Sequence, residues 1–135
     1  MGKYFRKDDI LKAPDVQYED VEAWGGLVRV KSMSGAEKDA FEASLTTIRR
    51  GAGGKLTQQP NLVNVRAKLL VACLVDEDGE RIFSDEDVVE LGLKSASEMD
   101  KVVEVAKRLN AMTSDDLKDL ADGLKNAQPV ASPTD

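Results

Sequence analysis

Four places in this sequence bring together residue types that can do chemistry. The first is Cys73, the one cysteine in 135 residues. A thiol becomes a nucleophile or metal ligand when its surroundings lower its pKa. Cys73 lies inside an apolar run, so it reads first as a small buried hydrophobe and second as a reactive thiol. One cysteine excludes a disulfide framework and fits a reducing compartment. There is no histidine, which removes Ser-His-Asp and Cys-His machinery and most zinc sites. The second place, Asp76-Glu77-Asp78-Gly79, resembles a calcium loop. With Gly79 at the sixth position, Leu74 falls where the first ligand belongs and Asp85 is too short for the twelfth. It reads as an acidic turn. The third, Gly51-Ala52-Gly53-Gly54-Lys55, resembles a phosphate-binding loop. Arg49 stands where the leading glycine is needed and Leu56 replaces the metal-binding hydroxyl, so the pattern fails.

The fourth place runs from Ser84 to Ala111: a short helix, Gly92, and a longer helix opening at Ser95. That order resembles a helix-turn-helix, and a small DNA-binding regulator using residues 84–111 is the alternative reading of the chain. The stretch carries seven acids (Asp85, Glu86, Asp87, Glu90, Glu98, Asp100, Glu104) against four bases (Lys94, Lys101, Lys107, Arg108), a balance of −3. Glu98 and Asp100 would face a phosphate-lined groove and be repelled. The remaining carboxylates sit at helix N-termini and turns, where they offset the macrodipole. No pair is enclosed in apolar sequence, so no general acid can be named. The expectation is a non-enzymatic chain with no catalytic residue, no cofactor and no metal.

The elements that position these residues follow from composition and pattern. Charged residues make up 33 % and apolar ones 41 %, enough for one globular domain over residues 1–126. Aromatics are only 4 %, so Leu, Val and Ala must fill the core. The net charge of −6 argues against a nucleic-acid duplex as partner. Met1 to Leu11 is polar and charged, unlike a signal peptide, and Arg6 interrupts the myristoylation pattern that Met1-Gly2 suggests. No run approaches the ~20 apolar residues that span a bilayer, so no membrane is expected.

The natural hub is Asn61 to Val75, in which seven apolar residues run unbroken from Leu69 to Val75. Pro60 and Asn61 at its start favour a helix over 61–75, with Asn61 as N-cap. Ahead of it, two alternating runs flank Gly25-Gly26 and predict a β-hairpin over about 17–32. Trp24 at the turn either covers one end of the core or serves surface recognition. Ser34 and Glu37 form a capping box opening a helix over 35–49, with Phe41, Leu45 and Ile48 on one face. Ser84 opens a helix over 85–91, ended by Gly92, with Phe83 and Val88 as a hydrophobic staple. Ser95 and Glu98 open another over 96–111 with a stripe of Met99, Val102, Val103, Ala106 and Leu109. Val105 and Met112 widen that arc. Either the helix is buried on two sides or part of its face is kept for a partner. A last helix over 114–125 shows Leu117, Leu120 and Leu124, and residues 127–135 read as a disordered tail. The fold class is α+β, a mainly helical domain with an N-terminal β-hairpin.

The order of these segments resembles the tail assembly chaperones of long-tailed (siphovirus) bacteriophages. The resemblance rests on Lys7-Asp8-Asp9-Ile10-Leu11, on Trp24-Gly25-Gly26 with Val28-Arg29-Val30, and on Met33 through Phe41. It continues with Asn64-Val65-Arg66-Ala67-Lys68-Leu69-Leu70, the stretch Cys73 through Val88, Leu91 through Ala96, and Val105 through Asn110. It covers roughly residues 5–125, and each motif also has a structural explanation. The resemblance implies a phage or prophage protein that binds the tape measure protein, keeps it soluble and helps tail tube protein assemble around it. It implies self-association, a place in the host cell cytoplasm and absence from the mature virion. Val105, Met112, Leu117, Leu120 and Leu124 are the residues expected to supply partner-binding surface.

Overall fold

A computed structural model describes residues 4–112 of the chain. The expected helix over 114–125 and the tail at 127–135 lie outside these residues, as do Leu117, Leu120 and Leu124.

The fold is a small α+β domain built on an N-terminal hairpin. A short helix α1 (Lys7–Lys12) precedes strands β1 (Tyr18–Ala23) and β2 (Gly26–Lys31). The hairpin register sets Ala23 opposite Gly26, leaving a two-residue turn of Trp24 and Gly25. Both take positive φ, +53° and +81°, as a type I′ turn demands. The turn therefore lies one residue earlier than Gly25-Gly26, and a tryptophan occupies a left-handed position that glycine or asparagine usually fills.

Helix α2 (Gly35–Ala43) opens with the expected capping box: Ser34 Oγ accepts from the Glu37 N–H at 3.1 Å, and Glu37 accepts from the Ser34 N–H at 2.8 Å. The helix does not reach residue 49. Ser44 Oγ donates to the Phe41 carbonyl at 2.6 Å and Thr46 Oγ1 to that of Ala43 at 3.1 Å, closing the last turn with side chains. The β-branched Thr46-Thr47-Ile48 then favours extended backbone. Thr46–Arg50 forms β3, paired antiparallel with β4 (Leu56–Pro60). Leu45 is fully buried as expected, but Ile48 is 57 % exposed on the ribbon. The Gly51–Gly54 stretch is the tip of this second sheet, with Gly53 and Gly54 both at positive φ.

The hub divides in two. Helix α3 spans Val65–Cys73, and Leu74-Val75 leave it as strand β5, bonded to β2 at Val30 and Arg29. The three-stranded sheet has the order β1-β2-β5. Asn61 is not the N-cap. Its N–H donates to the Leu45 carbonyl at 2.6 Å and its Nδ2 to Thr47 Oγ1 at 3.2 Å, tying the ribbon to the approach to α3. Asn64, in left-handed conformation, directly precedes the helix. Both halves of the apolar run are buried: Leu69, Leu70, Val71 and Cys73 from the helix, Leu74 and Val75 from the strand. At ~1.5–3 kcal/mol per large apolar side chain, this run is the centre of the core.

After a turn at 76–79, a 3₁₀ turn at 85–87 leads into α4 (Val88–Leu91), then α5 (Ala96–Leu109). Of the expected stripe, Met99, Val102, Val103 and Ala106 are buried and Leu109 is partly buried against the same core. Helix α5 packs on α3 and also on β1 and β2, so it is covered on two sides. It ends two residues before Ala111 in a Schellman turn, with the Met112 N–H donating to the Lys107 carbonyl (2.7 Å) and the Ala111 N–H to that of Arg108 (3.2 Å). Ala111 sits at the left-handed position, φ +53°. Ala111→Gly should therefore raise stability by about 0.5–1 kcal/mol, read as a higher denaturant midpoint at unchanged slope.

Candidate functional site

The Schellman turn folds Met112 back onto the core, where it is 7 % exposed. Its expected place on a partner-facing surface is corrected for that reason: the residue following a left-handed cap packs against its own helix. Val105 is half-buried and packs against the same core. The wider apolar arc of α5 is thus used largely inside the fold.

The chemistry-bearing residues are placed as follows. Cys73 is buried, and burial pushes its thiol up to about 12, against the opposing hydrogen bond from Asn110. Such a thiol is neutral and inert at physiological pH. Asp76 Oδ1 accepts the N–H groups of Asp78 (2.8 Å) and Glu80 (3.0 Å), so this carboxylate is spent on its own turn. Among the described residues no group of three potential ligands is gathered for a metal.

In α5, only half of the capping box forms. Ser95 Oγ receives the Glu98 N–H at 3.5 Å, but the Glu98 carboxylate turns away and accepts the Trp24 N–H at 2.8 Å. It also pairs with Lys101 at 2.8 Å. These bonds, Lys101 first and Trp24 second, hold the carboxyl below its ordinary range. A carboxyl lowered on folding stabilises above the ordinary range, and the gain is lost as pH falls through the lowered value. Glu98→Gln keeps an acceptor for Trp24 but removes the titration. Its stability should fall less than the parent's when chemical unfolding is compared at neutral and acid pH.

The first turn of α5 is accordingly occupied. Glu98 holds the hairpin turn, and Asp100 pairs with Arg66 of α3 at 2.7 Å. Farther along, Arg108 grips Glu19 of β1 through two bonds of 2.8 and 2.7 Å.

The outward apolar surface lies elsewhere, on residues 82–94. Val88 and Leu91 turn inward. Val89 and Leu93, four apart, point out and are 66 % and 82 % exposed. Asp85, Glu86, Asp87 and Glu90 lie close to them in sequence, with Lys94 directly after Leu93. A hollow of about 330 Å³ opens beside this stretch, with Trp24, Phe83 and Leu91 as its apolar lining and Asp87, Glu90 and Lys94 at its rim. A second, of about 400 Å³, is lined by Phe41, Ala72 and Val88 and by the paired Arg81 and Asp85. Trp24, half-buried against the core, both covers one end of it and lines the first hollow. Sequence patterning alone did not single out this face, although Val88-Val89 and Leu91 with Leu93 are more apolar positions than one side of so short a helix can bury.

No family model, curated protein or solved structure matches this chain. No helix among the described residues is long and apolar enough to cross a membrane.

Proposed function

We propose that this chain is a phage tail assembly chaperone, acting by binding rather than catalysis. Its client is the tape measure protein, whose apolar helical surface it shields in the host cell cytoplasm while tail tube protein assembles. The reading rests on the resemblance over residues 5–125. The observation that carries it furthest is the exposed apolar pair Val89 and Leu93 in a stretch rich in acidic residues. Such a pair takes an amphipathic helix through apolar anchors while the charges keep the complex dispersed. Leu117, Leu120 and Leu124, which lie outside the described residues, are proposed as client-binding residues from the sequence. Weighing against the helix-turn-helix alternative is the first turn of α5, which holds Glu98 and Asp100 where a phosphate groove would have to fit.

The test is co-expression with the tape measure protein of the same phage. Val89→Asp/Leu93→Asp and Leu120→Asp/Leu124→Asp chains, each shown to be folded, should leave most of the client insoluble. Undiminished client solubility with both variants refutes the reading, and tight, salt-sensitive DNA binding by the parent chain would favour the regulator instead.

A further inference from the structure

The charge of this chain is unevenly spread. Acids outnumber bases 25 to 19, yet no Asp or Glu occurs between residues 43 and 75. That stretch holds Arg49, Arg50, Lys55, Arg66 and Lys68. Arg66 pairs with Asp100, and Lys68 donates to the Ser44 carbonyl at 2.8 Å. The other three stand on the β3–β4 ribbon. They are exposed and have no carboxylate partner among the described residues.

The ribbon is also an incomplete sheet. Its two strands are joined to no third, and a lone pair of strands is marginal in water. Its two ends fix the bonding phase. The Asn61 N–H donates to the Leu45 carbonyl at 2.6 Å, and the Gly51 N–H to that of Lys55 at 2.7 Å. Bonded and non-bonded pairs alternate along an antiparallel ladder. Thr47 and Arg49 therefore bond to β4, and the backbone N–H and C=O groups of Thr46, Ile48 and Arg50 point away from it. On the other edge Pro60 has no N–H to offer, so β3 is the more open side.

We propose that β3 takes up an extended, acidic segment of another protein as a third strand. Residues paired across a sheet set their side chains beside each other on the same face. The incoming strand thus places acids opposite Arg49 and Arg50, one on each face, and an apolar residue opposite the exposed Ile48. Running antiparallel, it reads acid-acid-apolar. Cations on an open edge guard against pairing with a like edge. Two β3 edges would bring arginines together, whereas an acidic strand is drawn in. The acid-acid-apolar triplets of the described residues are already folded: Asp8-Asp9-Ile10 in α1, Glu19-Asp20-Val21 in β1, and Glu86-Asp87-Val88 where α4 opens. A nucleic acid fits less well. The ribbon has three cations and no aromatic side chain to stack on, and phosphates gain nothing from the bare carbonyls of an edge. The contact uses β3 rather than Val89 and Leu93, so it and the client reading can fail independently.

Titration of the isotope-labelled full chain, followed through its amide NMR signals, tests it. The probe is the peptide Thr-Val-Thr-Glu-Glu-Val-Thr-Val. Shifts should concentrate at residues 46–50, with slowed exchange of the Ile48 and Arg50 amides. A fully N-methylated peptide keeps the carboxylates but cannot pair, and should bind about tenfold more weakly or worse. Arg49→Glu/Arg50→Glu, at two exposed positions, should weaken the acidic peptide by about tenfold or more and take up its Lys-Lys counterpart instead. Unchanged signals elsewhere in the spectrum verify that the variant keeps the fold. Absence of shifts at residues 46–50 overturns the proposal, whether the edge is closed by the rest of the chain or is indifferent. So does a methylated peptide that binds as well as its parent, or a variant that holds the acidic peptide as tightly. A DNA duplex that shifts the same amides more strongly at equal concentration also overturns it and assigns the ribbon to nucleic acid.

Discussion

Leu70→Ala should lower unfolding free energy by about 2–5 kcal/mol, with Ile48→Ala within about 0.5 kcal/mol of the parent. Leu70 is fully buried at the centre of α3, where that helix meets α2, α4 and α5. Truncation removes its transfer free energy and leaves a cavity that neighbours from several elements cannot all close. Ile48 is the control because a helix over 35–49 would have buried it, whereas β3 holds it out to solvent. Urea unfolding reads both, as a shift in midpoint at constant slope. A large loss at Ile48 would mean that the helix continues past Ala43 and that the ribbon is wrong.

Asn110→Ala should cost about 1–3 kcal/mol. Asn110 caps α5 and its side chain works in two directions. Oδ1 accepts the Met33 N–H at 2.6 Å, and Nδ2 donates to the Ala106 carbonyl at 2.8 Å, with Cys73 Sγ at 3.7 Å. It thereby holds the link between β2 and α2 against the end of α5. Alanine strands the half-buried Met33 N–H without an acceptor. Asn110→Asp retains an acceptor there but loses the donor and sets a negative charge at a helix C-terminus, which the macrodipole disfavours. It should be less damaging than alanine yet weaker than the parent. A melting temperature unchanged in both variants would show that the Met33 bond contributes nothing.

What could be read from the sequence was governed by local physics. The hairpin, the Ser34 box and the Met99–Ala106 stripe depend on neighbours within a few positions, and all three form, with the hairpin turn one residue earlier than expected. The errors arose where a distant partner decides. Thr46 to Arg50 can continue a helical face by spacing, and its pairing with Leu56–Pro60 across a glycine tip is invisible to periodicity. Leu74-Val75 looked like the last turn of a buried helix because the run has no polar break, but β2 offers an open edge that no local pattern announces. Glu98 matched a capping box and was instead claimed by Trp24, 74 positions earlier. The candidate face at 82–94 was hidden for a related reason. Which of Val88, Val89, Leu91 and Leu93 turn inward depends on how α4 sits against α3, so the surplus could be counted but not assigned.

The switch at Cys73 from helix to strand has a consequence for how the molecule comes apart. Because α3 and β5 are one uninterrupted stretch of chain, the deepest helix cannot lift away without tugging the sheet's third member from β2. There is no seam along which a helical layer could peel from a surviving sheet. Amides at the centre of α3 and those of Val30 and Leu74 should therefore open to exchange together, as a single cooperative unit, leaving α1 and the ribbon tip to loosen first.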